Sequence, residues 1–225
     1  MDDPPQLSYA PYFDHPVPRG MVRTIERLSG QPYLQRLYET YRADLAHEPF
    51  FSAAVKLLDL DVEFSTSRLA QIPATGPLVI VANHPFGVLD GLLISWLVSL
   101  RRTDFKVLTN AVLDGAPEAR DWLLPIDFNT TKDAQATNIA TRAESLERLK
   151  NGECIIVFPA GGVSTSPTPF SRTAVDDTWK PFTAKLITRS EASVTPIFFE
   201  GQNSRLFQWA RSEERRVGKE CRSRW

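Results

Sequence analysis

The hydrophobic positions of this chain change period along its length. From Met21 to Leu58 they recur at helical spacing. Met21, Ile25 and Leu28 share one face, Gly30 and Pro32 interrupt, and Leu34, Leu37, Tyr38, Tyr41 and Leu45 resume it. Pro49 is placed to start a third helix carrying Phe50, Ala54, Leu57 and Leu58. The period then drops to two over Leu60–Phe64, the pattern of a half-buried strand. Pro77–Ala82 and Cys154–Phe158 are continuous apolar runs, as in strands covered on both faces. Between and after them the pattern predicts a helix over 91–101, strands at Phe105–Leu108 and Leu123–Phe128, and a long helix over 133–150. The apolar stripe of that long helix is Ala136, Ile139, Ala140, Ala143, Leu146 and Leu149, and Asn151-Gly152 stops it. A helix over Trp179–Glu191 and a strand over Val194–Phe199 complete the series. Buried strands alternating with helices predict an α/β domain with a mostly parallel central sheet flanked by helices. The organisation expected is an irregular and helical N-terminal segment over 1–48, one domain over 49–210, and a tail over 211–225.

Composition changes this picture only at the ends. A chain of 225 residues, 42% hydrophobic and 24% charged, is ordinary for a globular domain, and one of this size buries roughly 70% of its unfolded surface. The net charge of -1 carries no signature of a nucleic-acid partner. Residues 211–225 hold six basic and three acidic side chains, leaving 20 basic against 24 acidic elsewhere. They show no apolar period and follow Trp209-Ala210 without a linker, so they resemble a vector-derived appendage in place of a native C-terminal segment; the alternative is a native basic tail. Cys154 lies in an apolar run and Cys221 in the tail, so neither a disulfide framework nor a metal motif is indicated and a reducing cytoplasm is the natural compartment. No run reaches the ~18 apolar residues that span a bilayer. A protein of this kind that meets a membrane lies on it.

Two segments at strand ends carry the candidate chemistry, because ligands of open α/β sheets gather beyond the carboxyl ends of the strands. In Val81-Ala-Asn-His-Pro-Phe-Gly-Val-Leu-Asp-Gly91, His84 follows a buried strand and Asp90 lies one bend of chain later. A neutral imidazole takes a proton near pH 7, and a carboxylate on its other nitrogen fixes the tautomer and balances the charge. Gly87 allows the bend. The plainer reading stands beside this one: Asp90 as the N-cap of a helix beginning at Gly91, and His84 as a hydrogen-bonding residue at a strand end. In Val157-Phe-Pro-Ala-Gly-Gly-Val-Ser-Thr165 the glycines present backbone N–H groups suited to an anion or oxyanion; the alternative is an ordinary tight turn. A P-loop and a GxSxG elbow are both missing from the sequence.

Asn83-His-Pro-Phe-Gly-Val-Leu-Asp90 resembles the first motif of the glycerophospholipid acyltransferase superfamily, a histidine and an aspartate separated by four residues. Phe158-Pro-Ala-Gly161 is similar to its Phe-Pro-Glu-Gly motif, Lys180–Leu186 to the helix that follows, and Val194-Thr-Pro-Ile-Phe198 to its last strand motif. The order holds over about residues 50–204. Three departures stand out. Five residues separate His84 from Asp90, as in a bacterial branch of haemolysin-like and ornithine-lipid acyltransferases. Ala160 and Val163 replace an acidic residue and an arginine. The arginine that holds an acceptor phosphate has no clean match, Asn129 and Lys132 being nearest.

The resemblance implies a glycerolipid acyltransferase-like fold and acyl transfer from acyl-CoA or acyl carrier protein to a hydroxyl of a lysophospholipid or other lyso-lipid. It makes His84 the general base and Asp90 its support. It places Asn83, Phe86, Gly87, Asn129, Lys132, Phe158, Pro159, Gly161, Gly162 and Ser164 against substrate. It calls for no metal or cofactor, and for a cytoplasmic protein peripheral on the inner face of the membrane. Phe50, Phe51, Leu57 and Leu58 are candidates for a lipid-entry surface or for ordinary core. Arg101, Arg102 and Lys106 are candidates for contact with anionic lipid or acyl carrier protein, or for a solvated helix end. A non-catalytic lipid-binding protein and a thioester hydrolase are the rival expectations.

Overall fold

A computed structural model describes residues 31–110, 117–127, 131–168, 171, 173–205, 207 and 208. The proline-rich start, the predicted helix through Met21, Ile25 and Leu28, Asn129 and the 211–225 tail lie outside the described residues. The chain opens with α1 (Gln31–Thr40), continued by a π-helical turn (Tyr41–Leu45), then α2 (Phe50–Leu57) and a short α3 (Thr66–Leu69). Next come β1 (Leu78–Ala82), α4 (Val88–Ser99), β2 (Phe105–Asn110), α5 (Pro117–Arg120) and β3 (Leu123–Ile126). The last elements are α6 (Lys132–Lys150), β4 (Cys154–Val157), α7 (Pro181–Ser190) and β5 (Ser193–Ile197).

The five strands are all parallel, in the order β3-β2-β4-β1-β5. The two continuous apolar runs are the two central neighbours, with Val81 opposite Val157. Their side chains alternate between two cores. Leu78, Ile80, Phe105 and Ile156 meet Phe51 of α2 and Ile94 and Val98 of α4. Val79, Val81, Ile155 and Leu124 meet Leu149 of α6 and Leu186 of α7. A sheet covered on both faces needs apolar residues at every position of its central strands, which is why alternation is missing there.

The segment 60–64 is not a strand. Asp59 takes a positive φ of 51° after α2, and Leu60 N–H bonds back to Val55 O at 3.2 Å. Phe64 packs edge-on against Trp96 of α4, with ring centroids 5.7 Å apart. Period two marks an extended segment that lays one side on the protein, whether or not it joins a sheet. The buried face of α6 also differs from the apolar stripe. Ala136, Ala140 and Ala143 are exposed and Ile139 is 66% exposed, while Ala134, Thr141, Ser145 and Leu149 are buried. Polar side chains can face the sheet because each is bonded: Thr141 Oγ1 donates to Pro125 O (2.6 Å), Ser145 Oγ to Thr141 O (2.7 Å), and Asn138 pairs with both backbone groups of Asp127. Among the described residues, no helix is long and apolar enough to cross a membrane.

Candidate active site

The carboxyl ends of β1 and β4 lie side by side, and the two motif segments leave from them. The helix after β1 starts earlier than the sequence pattern predicts, at Val88, with Gly87 as its N-cap. Asp90 is therefore the third residue of α4, not its cap. Its Oδ2 accepts from Phe86 N–H (2.8 Å) and Gly87 N–H (3.0 Å), and lies 3.0 Å from His84 Nδ1. The N-cap reading of Asp90 is thus corrected to the third helical position, from which one oxygen both closes the first turn and touches the imidazole. Asp90 is fully buried, and two backbone N–H groups at a helix N-terminus bond its Oδ2. The His84–Asp90 contact lacks the alignment of a hydrogen bond despite its short distance. His84 Nδ1 and Asp90 Oδ1 are both buried without a hydrogen-bond partner among the described residues. The His84 side chain is 18% exposed and that of Asp90 is fully buried, so only the imidazole of the pair reaches solvent.

The Phe158 ring stacks on the imidazole, centroids 4.2 Å apart and planes at 29°. Phe158 opens a tight turn in which Gly161, at φ 71°, donates its N–H to Phe158 O at 2.9 Å. That corrects the expectation for Gly161, whose N–H is spent inside the turn. The N–H of Gly162 makes no backbone bond among the described residues. Ala160 is buried and presents no polar group. Pro159 O accepts from Lys180 N–H at 2.9 Å, tying the turn to the start of α7.

Gly87 is where the two segments meet. Its φ is 75° and ψ -125°, and a Cβ there would lie 3.2 Å from Val163 Cγ2. The absence of a side chain lets the histidine loop close on the 158–164 turn, and Ser164 N–H bonds His84 O at 2.8 Å across the seam. The Asn83 amide makes a reciprocal pair with the Phe199 backbone (Nδ2 to O, 2.9 Å; N to Oδ1, 2.8 Å), which ties the histidine loop to the chain after β5. The Phe86 ring lies beside Gly201. Lys132 is exposed at the first position of α6.

Sequence reasoning missed Asp176. Its Oδ1 accepts from His84 N–H (3.2 Å) and from the Ser164 hydroxyl, and its Oδ2 from the Trp179 indole (3.2 Å). One carboxylate thus holds the backbone of the histidine, the glycine turn and the approach to α7. Gln208 supports the same region, accepting from Ser166 N–H and donating to Ser164 O. The three cations after α4 have structural work. Arg102 is buried on Asp104, Pro73 O, Gly76 O and Gly152 O, Lys106 bonds Asp121 O, and Arg101 bonds Ala70 O. Arg102 is accordingly neither a lipid contact nor a solvated helix end.

An apolar cavity of about 210 Å³ lies on the α2/α4 side of the sheet. Phe50, Phe51, Leu57 and Leu58 line it together with Val88 and Gly91, which flank Asp90 on the first turn of α4. Phe51 is also part of the core, so these residues both pack and enclose space.

A parallel α/β sheet with a histidine–aspartate pair at the ends of its central strands defines the class. The chain belongs to the acyltransferase family, whose model matches residues 9–221. Two relatives share the description lyso-glycine lipid O-acyltransferase. The protein from Bacteroides thetaiotaomicron is 28% identical over 194 residues, and that from Phocaeicola vulgatus 26% over 193. Each match takes in 85% of this chain, which spans 66% and 65% of the two relatives' lengths. Among solved structures, the 1-acyl-sn-glycerophosphate acyltransferase PlsC from Thermotoga maritima is similar at 23% identity and a TM-score of 0.44. That match covers 78% of this chain and 68% of the other.

Proposed function

We propose that this protein transfers a fatty acyl group from a thioester to a hydroxyl of a lyso-lipid, with His84 as general base. The observation that carries the reading is His84 in contact with a buried carboxylate at the strand ends, on a helix whose first turn, through Val88 and Gly91, lines an apolar cavity. Asp90 occupies the Nδ1 side of the ring, which leaves Nε2 for substrate. Nε2 takes the proton of the acceptor hydroxyl as its oxygen attacks the thioester carbonyl. Collapse of the tetrahedral adduct breaks the C–S bond, and the imidazolium returns the proton to the departing thiolate. The products are the acylated lipid and a free thiol. Gly162 N–H is the donor proposed for the oxyanion, and the cavity receives the acyl chain. The donor is acyl-CoA or acyl carrier protein, and the protein works on the inner face of the cytoplasmic membrane. The relatives' description favours a lyso-lipid built on an amino acid over one carrying a glycerol phosphate. So does the lack of a clean match for the arginine that holds an acceptor phosphate, Asn129 and Lys132 being nearest.

The test is thiol release from palmitoyl-CoA and palmitoyl-loaded acyl carrier protein. The acceptors are lyso-glycine lipid, lyso-ornithine lipid, lysophosphatidylglycerol and lysophosphatidic acid, with products identified by mass spectrometry. Release that depends on an amino-acid lyso-lipid and yields its O-acyl product is expected. Release without any acceptor identifies a hydrolase. Lipid binding without release by either donor identifies a non-catalytic lipid-binding protein.

A further inference from the structure

On the face of the sheet opposite the apolar cavity, α6 and α7 enclose a second groove of about 550 Å³. Arg142 of α6 and Lys180, Lys185 and Arg189 along α7 line it, and its floor includes Phe182 and Leu186. No acidic side chain lines it. All four cations are exposed, and none makes an ion pair with a described residue. Arg142 rests its guanidinium over the Phe182 ring, 5.3 Å from the centroid. Four unneutralised cations converging on one groove repel one another, and a chain of net charge -1 does not need them there for solubility.

We infer that this groove is the docking surface for the acidic face of a protein acyl carrier, the macromolecular form of the thioester donor. The inference rests on the acyl transfer proposed above. Lys180 to Arg189 spans roughly 13 Å of helix at 1.5 Å per residue, too long a row for one phosphate and suited to an acidic helix laid along the groove. The exposed cationic heads suit fast, salt-sensitive and transient association between proteins; a nucleotide site would bury its phosphates in bidentate contacts. A bilayer that supplies the cavity meets the α2/α4 side, which turns the α6/α7 groove toward water. One end of the groove is tied to the site through the backbone. The backbone N–H of Lys180, at its upper end, bonds Pro159 O, and the adjoining Phe158 ring stacks on His84.

The experiment compares the wild type with the double variant Lys185→Glu/Arg189→Glu, two exposed positions outside the catalytic machinery. Binding of palmitoyl-loaded acyl carrier protein is measured by calorimetry at two salt concentrations. KM and kcat are measured with that donor and with palmitoyl-CoA, and folding is checked by thermal melting. The inference expects Kd and KM for the carrier to rise at least tenfold in the variant with kcat unchanged. It also expects wild-type binding to weaken with salt and KM for palmitoyl-CoA to stay within twofold. Absence of wild-type binding, or carrier binding unchanged by the substitutions, overturns it. An equal rise in KM for palmitoyl-CoA overturns it in favour of a nucleotide site. Loss confined to binding of phosphatidylglycerol vesicles overturns it in favour of a membrane contact. Variant-sensitive carrier binding without acyl transfer upholds the groove and rejects the acyltransferase reading instead.

Discussion

Asp176 shows how much one residue can organise without touching the reacting atoms. It gathers the His84 backbone, the Ser164 hydroxyl and the Trp179 indole from three separate stretches of chain. Replacing it with alanine strands these donors and costs roughly 1.5–3 kcal/mol, read as a lowered denaturation midpoint. Asp176→Asn keeps part of the acceptor capacity and recovers part of that loss. Asp90 differs in kind, because its carboxylate touches the imidazole. Asp90→Asn preserves most of the side-chain volume yet lowers kcat by about 10²–10⁴-fold, with a smaller effect on KM, measurable in the same thiol-release assay. His84 and Asp90 were legible in the sequence because one short bend joins the strand end that carries His84 to the first helical turn that carries Asp90. Asp176 lies 92 residues from His84 with no motif around it, so only the folded chain brings it into view.

Elements with a uniform environment were legible outright, whereas α6, with divided surroundings, was legible in its bounds but not in its buried face. The runs at β1 and β4 are apolar at every position because both faces are covered, so no choice of face had to be made. In α6 Ala136, Ile139, Ala140 and Ala143 point to solvent, while hydroxyl and amide side chains bonded to β3 and the residue after it join Ala134 and Leu149 toward the sheet; hydropathy cannot anticipate those partners. This orientation predicts that Ile139→Lys changes stability by less than about 0.5 kcal/mol, whereas Leu149→Ala costs about 2–5 kcal/mol, both by chemical denaturation. The seam between the two motif loops makes a further demand. Gly87→Ala introduces a Cβ against Val163 and forces a backbone conformation L-residues avoid, at about 1–3 kcal/mol. Adding Val163→Ala relieves the contact but not the backbone strain, so the double variant recovers only part of the melting temperature.

Across the whole molecule, burial binds the fold to the protonated forms of several groups. Desolvation pushes the Cys154 thiol up to about 12, and it also raises the phenols of Tyr38 and Tyr41, Glu118 adding to both. A raised pKa in the folded state means that it holds protons the unfolded chain has lost. This contribution is complete below the unfolded values, near 9 for the thiol and 10 for the phenols, and is lost as pH rises above them. Melting temperature is therefore expected to fall between pH 9 and 11 at constant ionic strength, more steeply than in a Cys154→Ala variant. The two faces of the sheet divide the proposed work, with an apolar cavity on one side, a cationic groove on the other and His84 at the strand ends between them. The most direct test of the account is kcat/KM of His84→Ala against wild type with the best acceptor, both proteins shown to melt alike. The account predicts a loss of about 10²–10⁴-fold that added lyso-lipid does not restore. Acyl transfer within twofold of wild type would contradict it, because no other described group stands where His84 does.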